Sequence, residues 1–258
     1  MTKLRVVTLN LAFYEHRRWE RLKLAADEIK QLDPDILLLQ EVSLSAGVEK
    51  RLKKLLPGYY FSLCPRGGRH RYLAQAVFSK YKPLAAQRLH LSQNRVAQKV
   101  VVKVGRKKLN IINVHLYFSP LRDAPRRRQA QKVLAFAEPP AVIAGDFNTF
   151  RNSGSIKLVK TRFNSAHSAK HGREPAKTYP SPLRLGPGLR HWLRNGAFTL
   201  LSRVAGKSQG GWGVPIDFIF VEKNMRVSAS QVVFDKPAKA DPHLFVSDHF
   251  GMLADIEL

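Results

Sequence analysis

Apolar and polar positions along this chain follow two rhythms, short β-rich runs and longer stretches with helical spacing. Residues 6–11 read as a strand. Residues 17–32 follow as a helix, with Leu22, Ala25, Ala26 and Ile29 on one face and mixed charge on the other. The apolar run at 36–40 comes after Asp33-Pro34-Asp35, as a strand buried on both faces should. A basic helix at 48–56 is stopped by Pro57-Gly58. Strands are predicted at 59–63, 73–79, 84–91, 97–104 and 109–115, with turns and basic tips between them, which reads as an antiparallel meander. A helix at 126–137, a buried strand at 141–144 and strands at 216–221, 227–234 and 250–256 complete the pattern. No internal repeat or low-complexity linker offers a domain boundary, so residues 1–258 are expected to form one α/β domain.

Polar residues recur at the C-terminal ends of these strands, where α/β sheets place their ligand sites. They are Asn10, Glu41, His115, Asp146 with Asn148, Asp217, and Asp248 with His249. A strand-end Asp or His taken alone is usually a cap or a satisfied hydrogen-bonding group. Six such stations in a chain short of acids make coincidence a poor account.

The ordered segments Leu-Asn10, Gln-Glu41, Val-His115-Leu, Gly-Asp146-Phe-Asn148, Ile-Asp217-Phe-Ile-Phe and Ser-Asp248-His249 resemble the endonuclease/exonuclease/phosphatase superfamily. That superfamily takes in DNase I-like nucleases, exonuclease III-like repair enzymes, sphingomyelinases and inositol-polyphosphate phosphatases. The resemblance implies a four-layer α/β sandwich: two packed, mostly antiparallel sheets with helices outside and a site at one edge. It implies a divalent-metal-dependent phosphoester hydrolase in which water attacks phosphorus in line.

The residue types agree. A hard cation such as Mg²⁺, or Mn²⁺ in its place, takes oxygen ligands, for which Glu41, Asn10 and Asp248 are the candidates. Asp146 and Asn148 would hold the attacking water and meet the scissile phosphate. His249 would contact phosphate or move a proton, with Asp217 fixing its tautomer. His115 is a candidate general acid or phosphate contact. DNase I-like relatives support that histidine with a mid-chain acid, yet Lys50 to Arg122 contains none, so Asn94, Gln75 or a backbone carbonyl is expected there instead.

Charge narrows the partner. The chain holds 44 Lys and Arg against 19 Asp and Glu, a net +25, which points to a polyanion. Nucleic acid is the first expectation, because Lys and Arg are spread over many loops; an anionic membrane or phospholipid head group is the second. A catalytically dead binding module is disfavoured, since every charged station is filled. In bacterial members of the family this chain resembles, a Thr-Phe/Tyr-Pro-Ser segment passes within a few residues to the Asp-bearing strand; here Thr178-Tyr179-Pro180-Ser181 stands about thirty residues before Ile216-Asp217, so the resemblance implies a basic insertion at about 183–214. Within it, 189–204 has a helical apolar face with Arg190 and Arg194 largely off it, followed by Gly210-Gly211-Trp212-Gly213. Arg190, Arg194 and Trp212 are candidate substrate contacts. The single Cys64 excludes a disulfide-stapled scaffold. No stretch reaches the ~18 apolar residues of a membrane span, so a monomeric cytoplasmic protein, membrane-peripheral at most, is expected.

Overall fold

The computed structural model describes residues 2–13, 16–44, 47–119, 122–185 and 213–258. Its layers follow from where each strand's alternating side chains find apolar partners. In β1 (Lys3–Asn10) and β2 (Ile36–Ser43), Val7, Leu9, Leu37 and Leu39 face outward. They meet Leu22, Ala25, Ala26 and Ile29 of α1 (Arg18–Leu32) and Val48 and Leu52 of α2 (Val48–Leu55). The intervening Leu4, Val6, Ile36 and Leu38 face inward onto Val100, Val102, Ile111, Val142 and Ile219 of the second sheet. That sheet's far side, with Ile112, Val114 and Ile143, packs on Ala130 and Val133 of α3 (Ala124–Phe136) and Ile156 of α4 (Gly154–Val159). Each central strand is therefore apolar on both faces, which is why its sequence reads as an unbroken run. The result is helices, sheet, sheet, helices.

The remaining strands are β3 (Tyr60–Pro65), β4 (Leu73–Ser79), β5 (Pro83–His90), β6 (Val96–Val104), β7 (Lys107–His115), β8 (Ala141–Asp146), β9 (Phe163–Ser165), β10 (Asp217–Glu222), β11 (Arg226–Val233) and β12 (Gly251–Glu257). One sheet runs β11-β12-β1-β2-β4-β3 and the other β5-β6-β7-β8-β10-β9. The expected meander from β3 to β7 is broken. β3 and β4 close the first sheet, and the chain crosses at 80–82 so that β5, β6 and β7 open the second. β4 is buried along its whole length and already paired on both sides, to β2 and β3, so β5 has no edge there to join. α4, β9 and α5 (Ala166–His171) are short elements that the apolar rhythm did not mark.

Each sheet has one parallel pair at its middle, β1 with β2 and β7 with β8. Parallel neighbours end at the same side, which brings Asn10 and Gln40 together in one sheet and His115 and Asp146 in the other. β10 and β12 run antiparallel to these and start where they finish, Asp217 opposite Asp146 and Met252 opposite Thr8. All six strand-end stations therefore fall at one end of the sandwich.

Just beneath that end the apolar interface between the sheets gives way to amides. Gln40 Nε2 donates to Asn113 Oδ1 at 2.8 Å, and Asn113 Nδ2 donates across to the Leu39 and Ala76 carbonyls at 3.0 and 3.1 Å. Asn113 is fully buried, so each of these groups depends on the others for satisfaction. Asn113→Ala is expected to cost about 2 kcal/mol or more in urea unfolding, since it strands a buried amide and two carbonyls. A loss below about 0.5 kcal/mol would show that the amide bridge does not tie the sheets.

Candidate functional site

Asp146 is the hub. It ends β8, is 1% exposed, and receives donors from both sheets. Oδ1 accepts the Asn148 backbone N–H at 2.7 Å. Oδ2 accepts Asn10 Nδ2 at 3.1 Å and Asn148 Nδ2 at 3.2 Å, and lies 3.4 Å from His115 Nε2 and 4.0 Å from His249 Nε2. The local chain is shaped for this. Asn148 turns back in a left-handed conformation at φ 49, which asparagine tolerates. Gly145 sits at φ 141, where an added Cβ would come within 2.0 Å of the Val114 carbonyl, so only glycine lets β8 lie this close to β7. Burial pushes Asp146 up to about 7; Asp217 adds to the rise, while His249, the Asn148 N–H and the Asn10 amide oppose it.

His249 and Asp217 form a pair, with Nδ1 of the ring 2.9 and 3.2 Å from the two carboxylate oxygens. Burial alone would lower the imidazole's pKa. Asp217 and Asp248 outweigh it and hold His249 up to about 10, a cation at neutral pH. The Thr178–Ser181 segment clamps the two strands that carry the pair. Thr178 Oγ1 accepts the N–H groups of Ile216 and Asp217 at 3.0 and 3.1 Å, and its carbonyl accepts that of Phe250 at 2.7 Å. Ser181 N donates to the Asp248 carbonyl at 2.8 Å, and the Tyr179 ring lies 4.8 Å from that of His249. Ser247 Oγ donates to the Asn10 carbonyl at 2.6 Å and accepts the His249 N–H at 3.1 Å, tying Ser-Asp-His to β1.

His115 is held differently. No amide or carbonyl stands at Nδ1; the Arg66 guanidinium makes a short contact there, and Gln75 is turned to the Asn113 carbonyl. Arginine can only donate, so Nδ1 must accept and the ring proton sits on Nε2, facing Asp146. Burial, then Arg66 and Arg95, push the His115 pKa well below the ordinary imidazole value. A neutral Nε2–H can donate a hydrogen bond to a phosphate oxygen but cannot supply an acid proton at neutral pH, so of the two expected roles the geometry favours phosphate contact. Arg95 lies close enough to feel Glu41 and Asp146; burial, then Arg66, lower it to about 10. Arg66 and Arg95 escaped the sequence reading because they are two of 17 Lys and Arg in an acid-free stretch, with nothing to set them apart.

Glu41 reaches the same centre, with Oε1 3.9 Å from His115 Nε2. It sits at φ 56 beside a register shift between β2 and β4, a left-handed conformation that costs about 1 kcal/mol and turns its carboxylate out of the strand's alternation. Asp248 Oδ1 lies 3.7 Å from His249 Nε2. Asp146, Asp217 and His249 offer ligand atoms within 4.8 Å of one another, but Asp217 is engaged by the ring Nδ1. The oxygens left for a cation are those of Glu41, Asp146, Asp248 and Asn10, an all-oxygen set that fits Mg²⁺ or Mn²⁺ better than a thiolate- or imidazole-seeking metal. Burial, and after it Asp217, raise the pKa of Asp146, and a divalent cation held beside it would favour the charged form. Trp212, Arg190 and Arg194 lie outside the described residues. Val214 and Tyr179 bridge beside the site.

The family model described as "Endonuclease/Exonuclease/phosphatase family" matches residues 7–249. No curated protein matches. Among solved structures, an endonuclease/exonuclease/phosphatase from Bacteroides vulgatus is 23% identical, with 100% of both chains covered and a TM-score of 0.75. TDP2 of D. rerio complexed with single strand DNA product is 16% identical, with 100% of both chains covered and a TM-score of 0.75. Truncated TDP2 of Caenorhabditis elegans is 17% identical, with 99% of this chain and 98% of that one covered and a TM-score of 0.73.

The paired geometry of His249 and Asp217 gives a pH dependence with a definite sign. A raised pKa means the charge on His249 contributes stability that is fully present below the ordinary imidazole value and is lost as pH rises toward about 10. Asp217→Asn should bring the NMR titration of His249 down toward the ordinary range and make the protein less stable at neutral pH. An unchanged titration would mean Asp217 does not hold the proton.

Proposed function

The chain belongs to the endonuclease/exonuclease/phosphatase family, and from that premise we propose that it is a divalent-metal-dependent phosphodiesterase acting on nucleic acid. Members of the family are hydrolases, phosphodiesterases among them. The observation that carries the reaction class is the Asp146 hub. A buried carboxylate is held by donors from both sheets, with an acid-paired imidazolium on one side and a neutral imidazole on the other.

In this reading Asp146 and Asn148 orient the attacking water, Asp146 as the acceptor that takes its proton. Glu41, Asp248 and Asn10 would hold a divalent cation, which would supply neutralisation of the charge that grows on the phosphate oxygens. His249, cationic through Asp217, lies where it can stabilise those oxygens and give its Nε2 proton to the leaving group. His115 Nε2–H donates to a non-bridging oxygen, fixed in that tautomer by Arg66. Little covalent chemistry falls to the protein, so positioning and charge do most of the catalysis.

Nucleic acid is supported as the substrate by the net +25 and by the stretch from Lys50 to Arg122 without an acid. The complex of the similarly folded TDP2 with a single strand DNA product agrees with this reading. A lipid head-group substrate would draw on the basic pattern at 189–204, which lies outside the described residues.

Chelation is expected to abolish hydrolysis of DNA or RNA, and Mg²⁺ or Mn²⁺ to restore it. Glu41→Ala should raise the metal concentration needed for half activity by about tenfold or more, at least what losing a partner of a metal ligand costs, with no loss of melting temperature in the metal-free protein. Undiminished hydrolysis in excess chelator would overturn the proposal.

A further inference from the structure

Trp19, Tyr72 and Phe118 are 38%, 37% and 47% exposed, and among the described residues Tyr60 is the one other aromatic ring exposed to this degree. Tyr60 pairs with Ser79, which is opposite Ile36, and so marks the far end of the sandwich. The other three stand at the catalytic end, each on a different segment of the chain. Trp19 is in the first turn of α1, nine residues past Asn10. The Tyr72 carbonyl accepts the Leu44 N–H at 2.8 Å, three residues past Glu41. Phe118 is three residues past His115. We propose that these three rings form a stacking rim for the unpaired bases of a single-stranded nucleic acid whose scissile phosphate lies at Asp146.

The rim is built rather than incidental. Arg21, 2% exposed, donates to the carbonyls of Leu11, Ala12 and His16 and to that of Val246, so the loop leading to Trp19 is fastened beside Ser247 and Asp248. Arg126, 3% exposed, donates to the carbonyls of Tyr117 and Ser119 on either side of Phe118, and Gln129 Oε1 accepts the Tyr117 N–H at 2.8 Å. Two buried guanidiniums, costly to take from water, thus hold the backbone under two part-exposed rings. Cations accompany the rings: the Arg51 guanidinium is 4.4 Å from the Trp19 ring centre and that of Arg18 5.8 Å, while Arg71 precedes Tyr72 and Arg122 follows Phe118 by four residues. Rings that stack on bases, interleaved with charges that follow phosphates, are how single strands are held without sequence preference. A duplex keeps its bases stacked on each other and would leave such rings unused. A bilayer would call for one continuous apolar stripe, whereas these rings sit on separate segments and α1 and α2 turn their apolar faces inward.

The inference rests on the nuclease reading above, and one set of measurements separates the two. With the full chain and Mg²⁺, kcat/KM is measured on a short single-stranded oligonucleotide, the same strand with abasic sites flanking the cleaved bond, the corresponding duplex, and anionic phosphatidylglycerol vesicles. The wild type is expected to prefer the single strand over both the duplex and the abasic strand. Phe118→Ala and Tyr72→Ala are each expected to reduce the ratio of kcat/KM on the normal strand to that on the abasic strand roughly tenfold, the effect of losing one base–aromatic contact. Trp19→Ala should do the same and Trp19→Phe should restore most of it, which separates stacking from a loss of packing against Phe13. Cleavage of nucleic acid with duplex and single strand equal, or with the ratio unmoved in the variants, overturns this inference and leaves the nuclease reading standing. Hydrolysis of the vesicle lipid with none of either nucleic acid overturns both.

Discussion

One carboxylate taken out of water sets the terms for the rest of the molecule. An ion of this size loses several kcal/mol when buried, and it stays charged only where donors and opposite charge replace its lost hydration. Asp146 has Asn10 from one sheet, the Asn148 N–H from its own loop, and His249 at the edge of reach. Because these come from different strands, the two sheets must keep their relative position to within a fraction of an ångström. The amide bridge of Gln40 and Asn113, the close approach permitted by Gly145 and the clamp at Thr178–Ser181 all serve that constraint.

The two histidines at the hub show how environment divides one chemistry into two roles. His249 lies against Asp217 and is a cation; His115 lies against Arg66 and is neutral, with its proton directed at the centre. A pair of titratable groups driven apart in this way supplies both a proton and a fixed dipole at one pH. Burial, with Asp217 adding to it, pushes Asp146 upward, and the all-oxygen set of Glu41, Asp248 and Asn10 is where a divalent cation would offset that rise.

Much of this was legible in the sequence, for physical reasons. Strands buried on both faces announce themselves by apolar runs, and polar residues at their ends stand out because burial elsewhere forbids them. Hence the strands and the strand-end stations could be read before any coordinate, and the four-layer fold followed from the family that their ordered motifs resemble. The crossing from β4 to β5 could not be, because adjacency of two strands in sequence does not say which sheet has a free edge. Arg66 was hidden by its many basic neighbours, and Asn113 and Gln40 by the apolar runs around them, since a single amide within a strand looks like any other polar interruption. Nothing in the run Thr178-Tyr179-Pro180-Ser181 tells that the Thr178 hydroxyl takes the backbone N–H groups of Ile216 and Asp217; that is a matter of geometry alone.

The account turns on the claim that the Asp146 centre is completed by a divalent cation, and metal-dependent melting tests it without reference to any substrate. Metal-free protein is to be compared with Mg²⁺-loaded protein at about pH 8, above the value to which Asp146 is pushed; a raised carboxylate pKa means stability lost as pH rises through that value, so the deficit is then fully expressed. A cation at about a hundredfold its dissociation constant stabilises by roughly 2.7 kcal/mol, which for a chain of this size is a rise of about 5–10 °C. The account predicts that rise in the wild type and, at the same metal concentration, a rise cut by about half or more in Glu41→Ala, the variant with one carboxylate ligand removed. No rise in the wild type at saturating Mg²⁺ or Mn²⁺, or an equal rise in the variant, would contradict it.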